Sequence, residues 1–190
     1  LGPKDSTMAS YYPRPIRFCN QCGHAIAMRV PDDGDTRMRA ICPQCQHIQY
    51  QNPLNVVGTL PVADDGRILL CKRNIEPRFG TWTLPAGFME LDETLEQGAA
   101  RETVEEAGAD IALGRLFSVI SVPQAAQVHI YFLAQLRSLV FNPGFESQEV
   151  RLFAPKDIPW DELSFRTVSW TLRRYLENPQ GTEGHQWNVE

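Results

Sequence analysis

The chain has 190 residues, 43% hydrophobic and 22% charged, with a net charge of −5. That balance suits one soluble domain, or a domain with a small appendage, and the acidic excess argues against a general nucleic-acid binder, which accumulates Lys and Arg. No apolar run nears the ~20 residues of a membrane span, and the N-terminus lacks a charged-then-apolar export pattern, so the expected location is cytoplasmic.

In chain order, "LGPKDSTM" reads as an expression-tag remnant, and residues 1–16 are set aside as remnant and N-terminal arm. Residues 17–50 are polar and Gly/Pro-punctuated, with "CNQC" at Cys19 and Cys22 and "CPQC" at Cys42 and Cys45. Two such knuckles with 19 residues between them fit a four-thiolate zinc site. A disulfide pair or buried thiols are the alternatives, disfavoured without an export signal. "PDDGDTR" is expected at a hairpin tip between the knuckles, and so short a segment needs the metal in place of a core. The fifth cysteine, Cys71, reads as a buried strand residue.

From Asn55 the pattern changes to "NVVGTLPV" and "GRILLCKRN", two strands around the turn "ADDG". "TWTLPAG" reads as a further strand. A short helix follows, with Thr94 and Gln97 at capping-box spacing and Gly108 as its stop. "LGRLFSVISV", "QVHIYFLAQLRSL" and "EVRLFAP" read as the remaining strands. "FRTVSWTLRRYLEN" is a final amphipathic helix with Phe165, Val168, Leu172 and Leu176 on one stripe. The expected fold class is α/β (α+β), a mixed sheet with helices against it over residues 51–178, then a tail over 179–190.

The short helix carries Glu102, Glu105 and Glu106 close together. At ~100° per residue, Glu102 and Glu106 fall within about 20° of Leu95, on the side expected to face the sheet. Like charges at this spacing repel, and acids at the edge of a buried face are costly unless a cation neutralises them. Several hard oxygens suit Mg²⁺ or Mn²⁺, which also hold substrate phosphates. Taken alone, such a Glu-rich helix is far more often a solvated face than a metal site.

Their surroundings are more specific. Gly87, Glu93, Arg101, Glu102, Glu105, Glu106 and Gly108 match the Nudix box, G-x5-E-x7-R-E-U-x-E-E-x-G-U, with Thr103 and Ala109 as departures at the two bulky-aliphatic positions. From about Asn55 to Asn178 the chain therefore resembles a Nudix hydrolase. The resemblance implies an α/β/α sandwich and metal-assisted attack of water on a nucleoside diphosphate linked to another group. It implies Glu102, Glu105 and Glu106 as metal ligands, one of them also orienting or deprotonating the water. Arg101 would hold a glutamate, Gly87 would allow close approach of the loop, and Glu93 would brace the loop–helix junction. In the family a glutamate before the last strand often completes the site, which makes Glu146 the first choice and Glu149 the second.

The ribbon narrows the group. NADH pyrophosphatases share it, but their "SQPWPFP" segment is replaced here by "SVISVPQAAQ". "AICPQCQHIQYQNPLNVVG", "LLCKRNIEPRFGTWTLPAGFMELDET" and "FNPGFESQEVRLFAPKDIPWDELSF" are similar to the zinc-ribbon group that includes plant plastid FAD/ADP-ribose pyrophosphatases. That implies FAD, ADP-ribose or a related dinucleotide as substrate, cleaved to AMP and a second monophosphate. Pairing into a homodimer would also be usual for such enzymes. Phe79, Trp82 and Phe88 lie where a ring could stack, although core packing is the commoner role of such residues. Arg73 and Arg78 are phosphate-binding candidates, and His129 is expected to be packed rather than catalytic.

The rivals are a nucleotide sensor that does not cleave, a ribbon that binds nucleic acid, and a MutT-like housecleaner. The intact glutamate set disfavours the first. Arg29, Arg37 and Arg39 are offset by Asp32, Asp33 and Asp35, which disfavours the second. The box alone does not separate the third.

Overall fold

The computed structural model describes residues 14–180 and 185–188, so the segment expected to be a tag remnant and parts of both terminal segments lie outside it. The chain divides into two compact units, one up to Pro53 and one from Leu54. No helix among the described residues is long and apolar enough to cross a membrane.

The first unit is a three-stranded antiparallel sheet, β1 (Ala27–Arg29), β2 (Arg39–Ile41) and β3 (Ile48–Gln49), in that order. "PDDGDTR" connects β1 to β2, as its turn residues require. The Asp33 and Asp35 carboxylates accept backbone N–H bonds two residues on, at 3.1 and 3.0 Å, in Asx turns. Its buried residues include Cys19, Ala40, Ile41 and Cys42, so the apolar interior is very small.

The second unit is built on a mixed sheet. Its strands are β4 (Leu54–Val62), β5 (Ile68–Arg73), β6 (Trp82–Thr83), β7 (Ala86–Phe88), β8 (Ile111–Val122), β9 (Gln127–Leu136), β10 (Ser147–Phe153) and β11 (His185–Asn188). The main order is β10-β5-β4-β9-β8-β11, with β6 on β5 and β7 on β4. β4 and β9 run parallel in register from Leu54↔Gln127 to Val62↔Gln135, while β8 and β9 form an antiparallel pair.

Alternation along the strands splits the core into two layers. Val57, Ile130 and Phe132 pack under Ala99 of α1 (Leu95–Ala107). On the other face Leu60, Leu70, Phe117 and Tyr131 meet Val168 and Leu172 of α2 (Arg166–Glu177). The result is the expected α/β/α sandwich.

Two expectations are corrected. "TWTLPAG" is not one strand: Trp82–Thr83 pairs with β5 and Ala86–Phe88 pairs with β4, so the segment changes partner between them. Pro85 explains the break, since it cannot donate to a ladder; its carbonyl accepts instead from the Thr59 N–H at 3.1 Å. The second correction is that β10 is not the last strand. β11, inside the expected tail, pairs parallel with β8 from His185↔Ser118 to Asn188↔Ser121. Four residues with no long apolar run gave no periodic signal for it.

Candidate active site and cysteine cluster

In the first unit the two knuckles have the same backbone design. Cys19 N–H donates to His24 O and Gly23 N–H to Cys19 O, and the same pair of bonds recurs as Cys42 to His47 and Gln46 to Cys42, all at 2.8–2.9 Å. Gly23 and Gln46 occupy equivalent left-handed positions, at φ 75° and 60°. Cys19, Cys22, Cys42 and Cys45 place their sulfurs within 4.8 Å of one another. Backbone N–H groups point at the sulfurs, as from Gln21 to Cys19 at 3.4 Å and Cys45 to Cys42 at 3.5 Å. The Cys45 N–H is the main influence that lowers the Cys42 thiol to about 6. A closed tetrahedron of sulfurs with N–H···S support suits a soft or borderline ion such as Zn²⁺.

In the second unit α1 begins with a complete capping box. Thr94 Oγ1 accepts from Gln97 N–H, and the Gln97 side chain accepts from Thr94 N–H. The helix ends at Gly108, in the left-handed region at φ 58°. The Thr103 departure is accommodated. Its hydroxyl is fully buried, 2.6 Å from Thr59 Oγ1 of β4 and donating to Ala99 O at 2.8 Å, so a polar pair replaces an aliphatic contact.

Arg101 organises the acids. It bonds Glu93 through Nε and Nη2 at 3.0 and 2.8 Å, the Phe88 carbonyl at 3.1 Å, and, through Nη1, Glu102 at 2.7 Å and Glu105 at 3.0 Å. Those bonds hold the Glu93 carboxyl down to about 2. Glu93 also accepts from Glu90 N–H at 2.7 Å and lies over Gly98, where a Cβ would come within 2.6 Å of its oxygen. This arrangement fixes the loop to the helix. The Glu102 carboxylate lies flush on the loop backbone at Gly87, where any Cβ would stand 2.4 Å from it.

Glu102 and Glu106 are buried, while Glu105 is exposed. Burial, with the Glu102 charge alongside, pushes the Glu106 carboxyl up to about 8; burial likewise raises Glu102. Glu106 accepts a 3.3 Å bond from Ala86 N–H and forms no ion pair among the described residues. The Glu146 charge is among those that raise both groups, and the turn before β10 that carries it bonds to the end of α1 through Gly144 N–H to Glu106 O at 3.1 Å. Glu149 turns away to an ion pair with Arg151.

The same three-dimensional arrangement sorts the other candidates. Arg73 is drawn down by burial, with the charges of Glu106 and Glu146 among those that oppose the effect. Its Nε donates to Pro77 O at 2.9 Å. Arg78 is exposed at φ 67°, with its carbonyl accepting from Thr81 Oγ1 at 2.6 Å. Phe79 and Phe88 are 57% and 50% exposed, against the expectation that each packs in the core. Trp82 is the reverse: it is 3% exposed, with its ring edge-on to Phe153 at 4.8 Å. A ring enclosed in this way offers no face for stacking, so Trp82 is withdrawn from the substrate-binding set. His129 is buried, bonded to Gln127 at 2.9 Å, and lowered to about 4 by burial. Residues the sequence did not single out are Ala86, Gly98, Asn74 and Gly144; only Gly144, in "NPG", carried a signal, as a turn dipeptide.

The acids fit a divalent cation in donor chemistry, being hard oxygens with surplus buried negative charge. They are not drawn together: among the described residues only the four cysteines bring three or more donor atoms within 4.8 Å of one another.

A model of the NUDIX domain matches residues 53–175, and one of the Nudix N-terminal ribbon matches residues 17–51. The chain is 48% identical to a NUDIX hydrolase from Nitrosomonas europaea of known structure, with a TM-score of 0.86 over 92% of this chain and 99% of that one. It is 32% identical over 153 residues to an NAD-capped RNA hydrolase, NudC, from Photobacterium profundum, covering 78% of this chain and 53% of the relative. It thus spans about half the length of that curated relative. An ADP-ribose pyrophosphatase from Streptococcus suis shares the fold at 22% identity, with a TM-score of 0.59 over 73% of this chain and all of the other. A box-bearing loop and helix on this sheet, preceded by its own ribbon, are thus matched along nearly the whole described chain, which belongs to the Nudix hydrolase family.

Proposed function

We propose that the chain hydrolyses the pyrophosphate link of a nucleoside diphosphate joined to a second group, with ADP-ribose or FAD as the first substrates to test. One observation carries the reading: two carboxylates, Glu102 and Glu106, are buried on one side of α1, where Glu102 pairs with Arg101, Glu106 accepts from the Ala86 N–H, and burial raises Glu106 to about 8. Such a site stores affinity for a divalent ion.

Glu102, Glu105, Glu106 and Glu146 are the residues that would hold Mg²⁺ or Mn²⁺. When bound, the ion would offset phosphoryl charge and lower the pKa of a coordinated water. Glu105, bonded to Arg101 in the structure, would have to give up that bond to serve as a ligand. Arg101 keeps Glu93 and the loop in place, and Gly87 lets Glu102 lie against the backbone. One glutamate takes the proton from the attacking water, and phosphorus–oxygen cleavage leaves AMP and a second monophosphate. Arg73 and the exposed Arg78 and Phe79 would receive the phosphates and ring of the substrate. The four cysteines would hold a structural Zn²⁺, with no open position for chemistry.

A second substrate reading has its own support. The similarity to NAD-capped RNA hydrolases keeps NADH and NAD-capped RNA in view, although the segment expected of NADH pyrophosphatases is absent.

The test is AMP release from ADP-ribose, FAD and NADH, and cap removal from NAD-capped RNA, with Mg²⁺ or Mn²⁺, for the unmodified chain and Glu105→Gln. Turnover of ADP-ribose or FAD that is lost in the variant supports the reading. Turnover of NADH or the capped RNA alone moves the chain to the second reading. Nucleotide binding with no turnover would make it a sensor.

A further inference from the structure

The turn that carries Glu146 is held from two sides. On the helix side, Gly144 N–H donates to Glu106 O at 3.1 Å, and Ser147 N–H closes the turn onto Gly144 O at 3.0 Å. A Cβ at Gly144 would stand 1.7 Å from Glu105 O, so the turn rests directly on the end of α1. On the sheet side stands Asn74, the residue after β5. Its backbone N–H donates to Glu146 O at 2.8 Å, and its Nδ2 donates to Phe145 O at 2.9 Å.

These two carbonyls belong to the peptide planes on either side of the Glu146 Cα. Because a peptide unit is planar, fixing both planes fixes φ and ψ at Glu146 and therefore the direction of its Cα–Cβ bond. Regular pairing alone does not do this. The ladder between β10 and β5 ends at Ser147↔Arg73, with a bulge between Ser147 and Glu149. Strand ends beyond the last ladder bond fray readily. Asn74 supplies the next two bonds from a single residue, one of them through its side chain. It also opens the loop that carries Arg78 and Phe79, closed by Gly80 N–H to Arg73 O at 2.9 Å.

We propose that Asn74 is a positioning residue that aims the Glu146 carboxylate at Glu102 and Glu106 and ties that aim to the substrate-side loop. The inference rests on the reading of Glu146 as part of the hydrolytic site. Ala at position 74 keeps the backbone bond and loses the amide donor. Asp would set an acceptor against the Phe145 carbonyl and do more harm.

The experiment measures kcat and KM on ADP-ribose with Mn²⁺ for the full chain and for Asn74→Ala, Asn74→Asp, Glu146→Gln and the Asn74→Ala/Glu146→Gln double variant, with thermal melting of each. Small misplacements of a reacting group cost up to about 100-fold, so Asn74→Ala is expected to lower kcat about 5- to 20-fold with KM changed less than about 2-fold. The double variant is expected to be no slower than Glu146→Gln, because the two substitutions act through one group. Wild-type kcat in Asn74→Ala, or a loss that adds in full on the Glu146→Gln background, overturns the proposal. Activity in the unmodified chain with none lost in Glu146→Gln overturns it while leaving the function standing. If the unmodified chain does not turn over ADP-ribose, the same variants are compared on whichever of FAD, NADH or NAD-capped RNA it cleaves, and cleavage of none of them removes both.

Discussion

In the ribbon, four thiols lie within 4.8 Å of one another around a place for an ion, and little apolar surface is buried nearby. In the larger unit the ligand candidates are held by protein groups instead: Glu102 and Glu105 share Arg101 Nη1, Glu106 bonds to Ala86 N–H, and Glu146 sits on a separately tethered turn. On the proposed reading the first site would need its ion to have a fold, whereas the second, with a sandwich core beneath it, would need an ion only to react. The difference follows from size: a segment of some 35 residues cannot bury enough surface to offset its chain entropy, whereas a sheet covered on both faces can.

Removing ions tests this contrast most strongly. A strong chelator is expected to unfold residues 17–50 and leave the sheet intact, since structural zinc contributes roughly 10–16 kcal/mol of apparent binding energy in small modules. Hydrogen exchange resolved by segment reads the result, and equal protection of the ribbon before and after would break the comparison.

Next in size is Glu105→Gln, expected to lower kcat about 10³-fold, the scale of losing a group that handles protons or metal, with the melting temperature unchanged. Glu105 is exposed, so a large fall in stability would count against a purely chemical role.

Gly144→Ala attacks the protein scaffolding of the acid site. A Cβ 1.7 Å from a backbone oxygen forces the turn off α1, at a cost of about 3 kcal/mol by denaturant unfolding. A neutral substitution would mean the turn is not packed as described.

The larger unit also has a titrating weak point that involves neither ion. His129 is held at about 4, below its ordinary 6.5, so the unfolded chain takes up the proton first as pH falls. The His129 contribution to stability is therefore complete above about pH 6.5 and declines toward pH 4, by roughly 2 kcal/mol between pH 7 and 5, against the opposite contribution of Glu106, whose carboxyl is raised to about 8. Unfolding of His129→Gln across that range should show a shallower decline, and parallel curves would refute the assignment.

Smallest is Thr103→Val, which leaves the buried Thr59 hydroxyl without its 2.6 Å partner and is expected to cost about 1–2 kcal/mol. Replacing both threonines by Val should recover most of that loss, which a thermal melt of the double variant can check.

Local chemistry was legible from the residues in order. The CxxC pairs, the capping box with its Gly108 stop, the period-2 strands and the box from Gly87 to Gly108 act over a few residues, and spacing reports them. Glu102 and Glu106 on the buried side of α1 followed from helical geometry alone. Tertiary structure decided the rest, because it depended on partners far apart in sequence. It exposed Phe79 and Phe88 while enclosing Trp82, split "TWTLPAG" between two strands, and added β11 to the sheet edge. It also set the turn that carries Glu146 between α1 and β5 through Gly144 and Asn74, contacts separated by about 40 and 70 residues that no local pattern encodes.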